Sequence, residues 1–328
     1  MPRRKHPIVV NLEYALAVSA AGIVRALPFA VGVFLMETIA FFAYIFDARH
    51  RGRVKKHLLF AGAAKDKREA ASLARRNFAQ LARIPVESLK ITPRLDESNV
   101  RDFITVSGSG KARELFFNPG KSSQAIIVTA HYGNWELAGV GYSLLSGMPM
   151  TTVMRPFDNP KLGARVGKTR VGHDHETCPR EGALKSLYQA LKKGRSICII
   201  SDQHASRDEG VETMFMGHLC RTHASPAILH LRTGVPILVS VSKRVGDRKF
   251  EFVCADPIEM KPTGDKEGDI ERLAQKYTDA LERLIMEDPT QWLWAHRRWL
   301  DMRPKSPRKK KSGKKDADKP DASSDAPS

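Results

Sequence analysis

Four short apolar runs, AIIVTA (125–130), MTTVM (150–154), SICIIS (196–201) and VPILVSVS (235–242), alternate with helical patterns. This alternation constrains the fold more than any other feature. Short apolar runs bounded by turn residues match strands covered on both faces, and the helices between them must cross over the sheet. The intervening segments predict helices over 134–146, 159–170, 181–193 and 222–233, with two more over 65–83 and 268–287. The resulting fold class is α/β, a mixed sheet flanked by helices. A chain of 328 residues, 42% hydrophobic and 27% charged, is large enough for one such domain with appendages.

The first appendage is N-terminal. From Ala15 to Phe46 the chain is strongly apolar, yet Arg25, Pro28 and Glu37 interrupt it, and its longest uncharged run covers the eleven residues 26–36. A spanning helix needs about 20 apolar residues, and a charge at its centre costs roughly 2.5 to 3.5 kcal/mol. Basic residues flank the segment: Arg3, Arg4 and Lys5 before it, and Arg49, Arg51, Arg53, Lys55 and Lys56 after it. A membrane-associated helical segment over 1–56 is expected, either spanning or lying in the interface. No small-residue cleavage site follows it, which argues against a removed signal peptide. The α/β domain is placed at 57–304, and the Lys-, Asp- and Ser-rich stretch 305–328 is expected to be a disordered tail.

Net charge is +18, of which 305–328 supplies only +4. The excess favours a polyanionic partner, and an anionic membrane surface is expected among them. The charge is scattered, and no helix-turn-helix, OB or RRM signature accompanies it, so no nucleic-acid partner is expected. The cysteines, Cys178, Cys198, Cys220 and Cys254, form no CxxC pair, so neither a disulfide framework nor a zinc site is indicated. His173-Asp174-His175-Glu176 has metal-like spacing but no obvious third ligand, and is read as a solvated turn.

Chemistry is suggested by AHYGNWE (130–136). Five residues apart, His131 and Glu136 cannot meet on a continuous helix or strand. A strand ending at Ala130, a turn at Gly133-Asn134 and a helix from Trp135 would bring them together. The spacing alone says little, because H-x4-[DE] recurs at His204/Glu209 and His296/Asp301. Only the first has a strand before it, a glycine in the bend and a helix start after it.

The ordered blocks AHYGNWELAG, MRPFDNP, SDQHA, FMGHLCRTHASPAILHLRTGVPIL and PTQWLWAHRRW resemble the bacterial lipid A biosynthesis acyltransferases, the lauroyl/myristoyl branch of the lysophospholipid acyltransferase superfamily. The resemblance covers roughly residues 10–303. It implies an acyltransferase domain on the cytoplasmic face of the inner membrane, moving a fatty acyl chain from acyl carrier protein to a hydroxyl of a phosphorylated glycolipid, with no cofactor. The second block retains Arg155, Asn159 and Pro160, whereas Phe215-Met216 stands where the family usually has paired phenylalanines.

An alcohol attacking a thioester needs a base within about 3 Å of its proton. His131 is assigned as that base and Glu136 as the carboxylate orienting it. Oxyanion donors are expected from the backbone at Tyr132 to Asn134 and from Arg155. Asp202, at the end of a strand, is expected to partner Arg155. Asn134, Asn159, Gln203 and Arg298 complete the expected substrate contacts. Two alternatives remain open: an acyl-CoA-dependent glycerophospholipid or other lipid acyltransferase, and a non-catalytic basic protein binding a membrane surface or nucleic acid.

Overall fold

The computed structural model describes residues 6–118, 120–154, 158–170 and 174–300. It opens with four helices: α1 (Pro7–Ala26), α2 (Phe29–Phe46), α3 (Ala48–Phe60) and α4 (Lys67–Lys90). A short helix α5 (Val100–Phe103) leads into β1 (Ile104–Gly108) and α6 (Gly110–Phe116). The central part runs β2 (Ile126–Thr129), α7 (Trp135–Ser146), β3 (Met150–Met154), α8 (Pro160–Arg170), β4 (His175–Pro179), α9 (Ala183–Lys192) and β5 (Ser196–Ile200). A hairpin of β6 (Gly210–Phe215) and β7 (His218–His223) precedes α10 (Ser225–Thr233), β8 (Ile237–Gly246), β9 (Lys249–Cys254) and α11 (Lys266–Met286).

Seven strands form one sheet in the order β1-β9-β8-β2-β5-β3-β4, parallel throughout except for the β8/β9 pair. Strand alternation splits its side chains between two cores. Ile126, Val128, Ile197, Ile199, Ile237 and Val239 face one, with α9, α11 and the C-terminal tryptophans. Ile127, Cys198, Leu238 and Phe252 face the other, with α7. Because both faces are covered, β2 is buried at all four positions, as its unbroken IIVT run requires.

The expected mixed α/β sheet and its four apolar strands are therefore present. Strands β1, β4 and β9 and the β6/β7 hairpin were not anticipated. His218–His223 pairs with Gly210–Phe215, so the helix expected from residue 222 begins at Ser225. The metal-like stretch is a strand rather than a solvated turn: His175 is buried in β4 and its Nε2 lies 2.9 Å from Thr152 Oγ1, while His173 lies outside the described residues. The apolar N-terminal segment is two helices meeting at Pro28. The boundary placed after residue 56 falls inside α3. The 305–328 tail lies outside the described residues.

Candidate active site

The site is assembled by strand register. β2 and β5 are parallel neighbours with Thr129 opposite Ile200, and Ser201 N–H donates to Thr129 O to continue the pairing. His131 and Asp202 each lie two residues beyond their strand's end, so they emerge side by side at the carboxyl edge of the sheet, where α/β folds place ligands. His131 Nδ1 is 2.8 Å from Asp202 Oδ1. Asp202 Oδ2 accepts from the His131 backbone N–H at 2.9 Å and from Trp292 Nε1 at 2.8 Å. Asp202 is 1% exposed, whereas the His131 side chain keeps 18% of its surface open.

This geometry corrects the orienting residue. The carboxylate hydrogen-bonded to His131 is Asp202 rather than Glu136. Glu136, half-buried at the start of α7, acts on His131 through its charge. Burial of the His131 ring disfavours its charged form. The Asp202 charge and hydrogen bond, with a smaller contribution from Glu136, outweigh burial and raise the His131 pKa. Burial alone would raise the Asp202 carboxyl, but the His131 charge and the three donors hold it down at about 2. The pair is a charged acceptor fixing an imidazole with Nε2 as its remaining basic atom.

The bend after His131 is held tightly. Gly133 has φ +55°, and a Cβ there would lie 1.8 Å from Ser242 O. Its N–H donates to Gln291 O at 3.1 Å, the Asn134 N–H to Ser242 O at 3.2 Å, and the Tyr132 N–H to Ala130 O at 2.8 Å. The backbone donors expected to receive an oxyanion are thus committed within the protein.

Two expected substrate contacts are helix caps. Asn134 is fully buried: Oδ1 accepts from Leu137 N–H at 3.1 Å and Nδ2 donates to Glu87 Oε2 at 3.0 Å. Asn159 Oδ1 accepts from the Lys161 and Leu162 N–H groups at the start of α8, and Nδ2 donates to Val10 O at 2.8 Å, tying α8 to α1. Arg298 is likewise structural. It is 1% exposed and donates to Gln203 O, Arg221 O and Thr222 Oγ1, which leaves it no access to a substrate. Arg155 lies outside the described residues. Gln203 stays at the centre: its Nε2 is 3.2 Å from His131 Nε2 and 2.9 Å from His296 Nε2. Burial and the nearby His131 charge lower the His296 pKa, which suits it to accept from that amide as a neutral ring.

Trp292 and the pair Glu87–Arg244 escaped the sequence reading, and His296, seen there only as a spacing match, stands beside Gln203. Glu87 on α4 and Arg244 on β8 are both buried and paired through two contacts, 2.5 Å from Nε to Oε1 and 2.7 Å from NH2 to Oε2. Gln291 Oε1 accepts from Arg244 N–H at 2.8 Å while Gln291 O receives the Gly133 N–H. The Glu87 carboxylate therefore braces the bend through Asn134, and the Arg244 main chain braces it through Gln291. Among the described residues no group of three or more His, Cys, Asp or Glu is placed to hold a metal.

An imidazole hydrogen-bonded to a buried carboxylate thus stands at the carboxyl edge of an α/β sheet, an arrangement able to take up a proton. The chain belongs to the bacterial lipid A biosynthesis acyltransferase family, whose model matches residues 3–301. It is 24% identical over 276 residues to the lipid A biosynthesis palmitoleoyltransferase of Escherichia coli, covering 83% of this chain and 86% of that protein. It is 26% identical over 175 residues to the lipid A biosynthesis lauroyltransferase of the same organism, 53% of this chain and 55% of that one. The phosphatidylinositol mannoside acyltransferase of Mycolicibacterium smegmatis is 26% identical over 180 residues, 54% of this chain. The match spans 57% of that relative's length.

Proposed function

We propose that the protein transfers a fatty acyl chain from an acyl carrier protein thioester to a hydroxyl of a lipid A precursor at the cytoplasmic face of the inner membrane. The observation that carries this reading is the His131–Asp202 pair at the carboxyl edge of the sheet, in a chain of this family, with the His131 side chain still partly exposed. His131 Nε2 takes the proton of the acceptor hydroxyl as its oxygen bonds to the thioester carbonyl carbon. The tetrahedral intermediate then collapses, the C–S bond breaks, and the leaving thiolate takes the proton from the imidazolium. Asp202 keeps the proton on Nδ1 and stabilises the imidazolium. Gln203, its amide nitrogen held by His296, donates to the oxygen arriving beside His131. Arg155 supplies positive charge to the oxyanion or to a phosphate of the acceptor, as the family resemblance implies.

The chemistry needs no metal, and activity is expected to survive EDTA. The decisive assay offers acyl carrier protein and CoA thioesters side by side, with a lipid A precursor and a phosphatidylinositol mannoside as acceptors. General-base assistance is worth about 10² to 10⁴ in rate, so a His131→Ala enzyme retaining over half its activity removes the assignment. Preference for CoA, or for the mannoside, redirects the substrate class and leaves the base in place.

A further inference from the structure

We infer that α1 and α2 lie flat along one leaflet instead of crossing the bilayer, an inference that rests on the proposed membrane association. Both helices are long and apolar enough to cross a membrane. Their attachment to the rest of the fold decides otherwise. Near its start α1 is held by Asn159, which donates to Val10 O at 2.8 Å and to Glu13 Oε2 at 3.3 Å. Past its other end, Lys90 Nζ donates to Arg25 O at 2.8 Å and to Leu27 O at 2.5 Å. Helix α2 is fastened along its whole length to α4. Gly32 would bring a Cβ within 3.3 Å of Val86, Arg83 pairs with Glu37 at 2.6 Å, and Tyr44 Oη donates to Ala71 O at 3.2 Å. A helix docked at both ends on the same catalytic body cannot place those ends on opposite sides of a membrane.

The surfaces left open have the pattern of interfacial helices. On α1, Ile8, Leu12, Leu16 and Ile23 are exposed, and at about 100° per residue they share one stripe. On α2, Phe34, Ile39, Phe42 and Ile45 are exposed and form a second stripe, opposite the buried Val33 and Ala40. Glu13 and Glu37 turn inward to partners on the body. The charge beyond α2 identifies the occupant: exposed Phe46 is succeeded within three residues by exposed Arg49, and α3 carries Arg49, Arg51, Arg53, Lys55 and Lys56 with no acidic residue. An apolar stripe running into a cationic stretch matches acyl chains bordered by anionic headgroups, and not a second protein surface.

The test uses the full chain in vesicles of phosphatidylethanolamine and phosphatidylglycerol, with single fluorophores on Leu12→Cys, Ile23→Cys, Phe34→Cys and Ile45→Cys. The four native cysteines are buried and do not compete for label. Lipids brominated at shallow or deep acyl positions report depth. An impermeant maleimide reports the side of His6→Cys and Arg25→Cys, exposed residues at the two ends of α1 and off the apolar stripe, with exposed Arg180→Cys on the body as reference. Expected are depths of about 5 to 10 Å at all four labels, and both ends of α1 on the side of residue 180. The inference is overturned if the α1 ends react from opposite sides, or if a label on Leu16→Cys or Ile39→Cys sits near the bilayer centre, about 15 Å deep. Protein that stays in the supernatant, or is crosslinked through Phe34→Cys to a second copy without quenching, removes the membrane association itself and this inference with it.

Discussion

Replacing Asp202 by Asn tests the site most directly, because the surrounding hydrogen bonds dictate how the amide must sit. Two N–H donors, the His131 backbone and the Trp292 indole, converge on Oδ2. The amide oxygen has to remain there, so its NH2 takes the place of Oδ1, 2.8 Å from His131 Nδ1. Facing a donor, Nδ1 gives up its proton and the ring carries it on Nε2, the atom that must be empty to act as base. Losing general-base help costs about 10² to 10⁴ in kcat, or about 2.7 to 5.5 kcal/mol of barrier. The pH profile moves too. His131 has a raised pKa in the wild type, so activity climbs with pH through a limb above the ordinary value of about 6.5. Without the carboxylate, burial dominates and the limb of the residual activity shifts to lower pH. Stability carries the matching sign. The Asp202 pKa is depressed, so its contribution is present above the unfolded value near 3.9 and is lost as pH falls towards about 2. The Asn variant lacks that acid-sensitive part. Steady-state kinetics from pH 5 to 9 and acid unfolding followed by circular dichroism read both. An Asp202→Asn enzyme within about tenfold of wild type, with an unmoved limb, refutes the reasoning, since general-base loss starts at about 10².

Glu136→Gln separates the two carboxylates: it should shift the acid limb slightly downward and reduce kcat less than about tenfold, whereas an orienting Glu136 would cost about 10² or more. Glu87→Gln leaves Arg244 buried without its ion partner and is expected to cost about 3 to 5 kcal/mol in urea unfolding; the double variant Glu87→Gln/Arg244→Met should recover much of it. Gly133→Ala forces a Cβ onto Ser242 O at φ +55°, with strain of about 1 to 3 kcal/mol from the backbone alone, so both the melting temperature and activity should fall.

How much could be read from residues alone depended on burial. β2, β3, β5 and β8 occupy the interior of the sheet and advertise themselves as apolar runs, whereas interior β9 alternates Lys249 and Glu251 with buried Phe250 and Phe252 and so shows no unbroken run. β1 and β4 are its edges, where sequences such as HETCP carry no comparable signal, and the β6/β7 hairpin lies outside the main sheet. The histidine was legible because it ends a buried strand before a glycine bend. Its partner was misassigned because local spacing favoured Glu136. A usable signal did exist: His131 directly follows AIIVTA and Asp202 directly follows SICIIS, so parallel pairing of those runs in equal register brings them together. Trp292, Glu87 and Arg244 left no such trace, since their roles come from tertiary contacts between distant segments. Arg298 and Asn159 were misread for the opposite reason: polar residues in a familiar block look like ligands until their donors are found occupied by backbone carbonyls.

The clasp formed by residues 291–293 has a bearing on the order of synthesis. Gln291 holds the Gly133 bend, Trp292 steadies Asp202, and Leu293 N–H donates to His131 O at 3.0 Å. Every strand and His131 precede this clasp along the chain. A nascent chain ending at Asp288 would present every strand and the histidine itself, yet lack the pieces that set the ring at its working angle. Competence therefore waits on residues 291–293, and a chain that stops short of them is expected to be inactive.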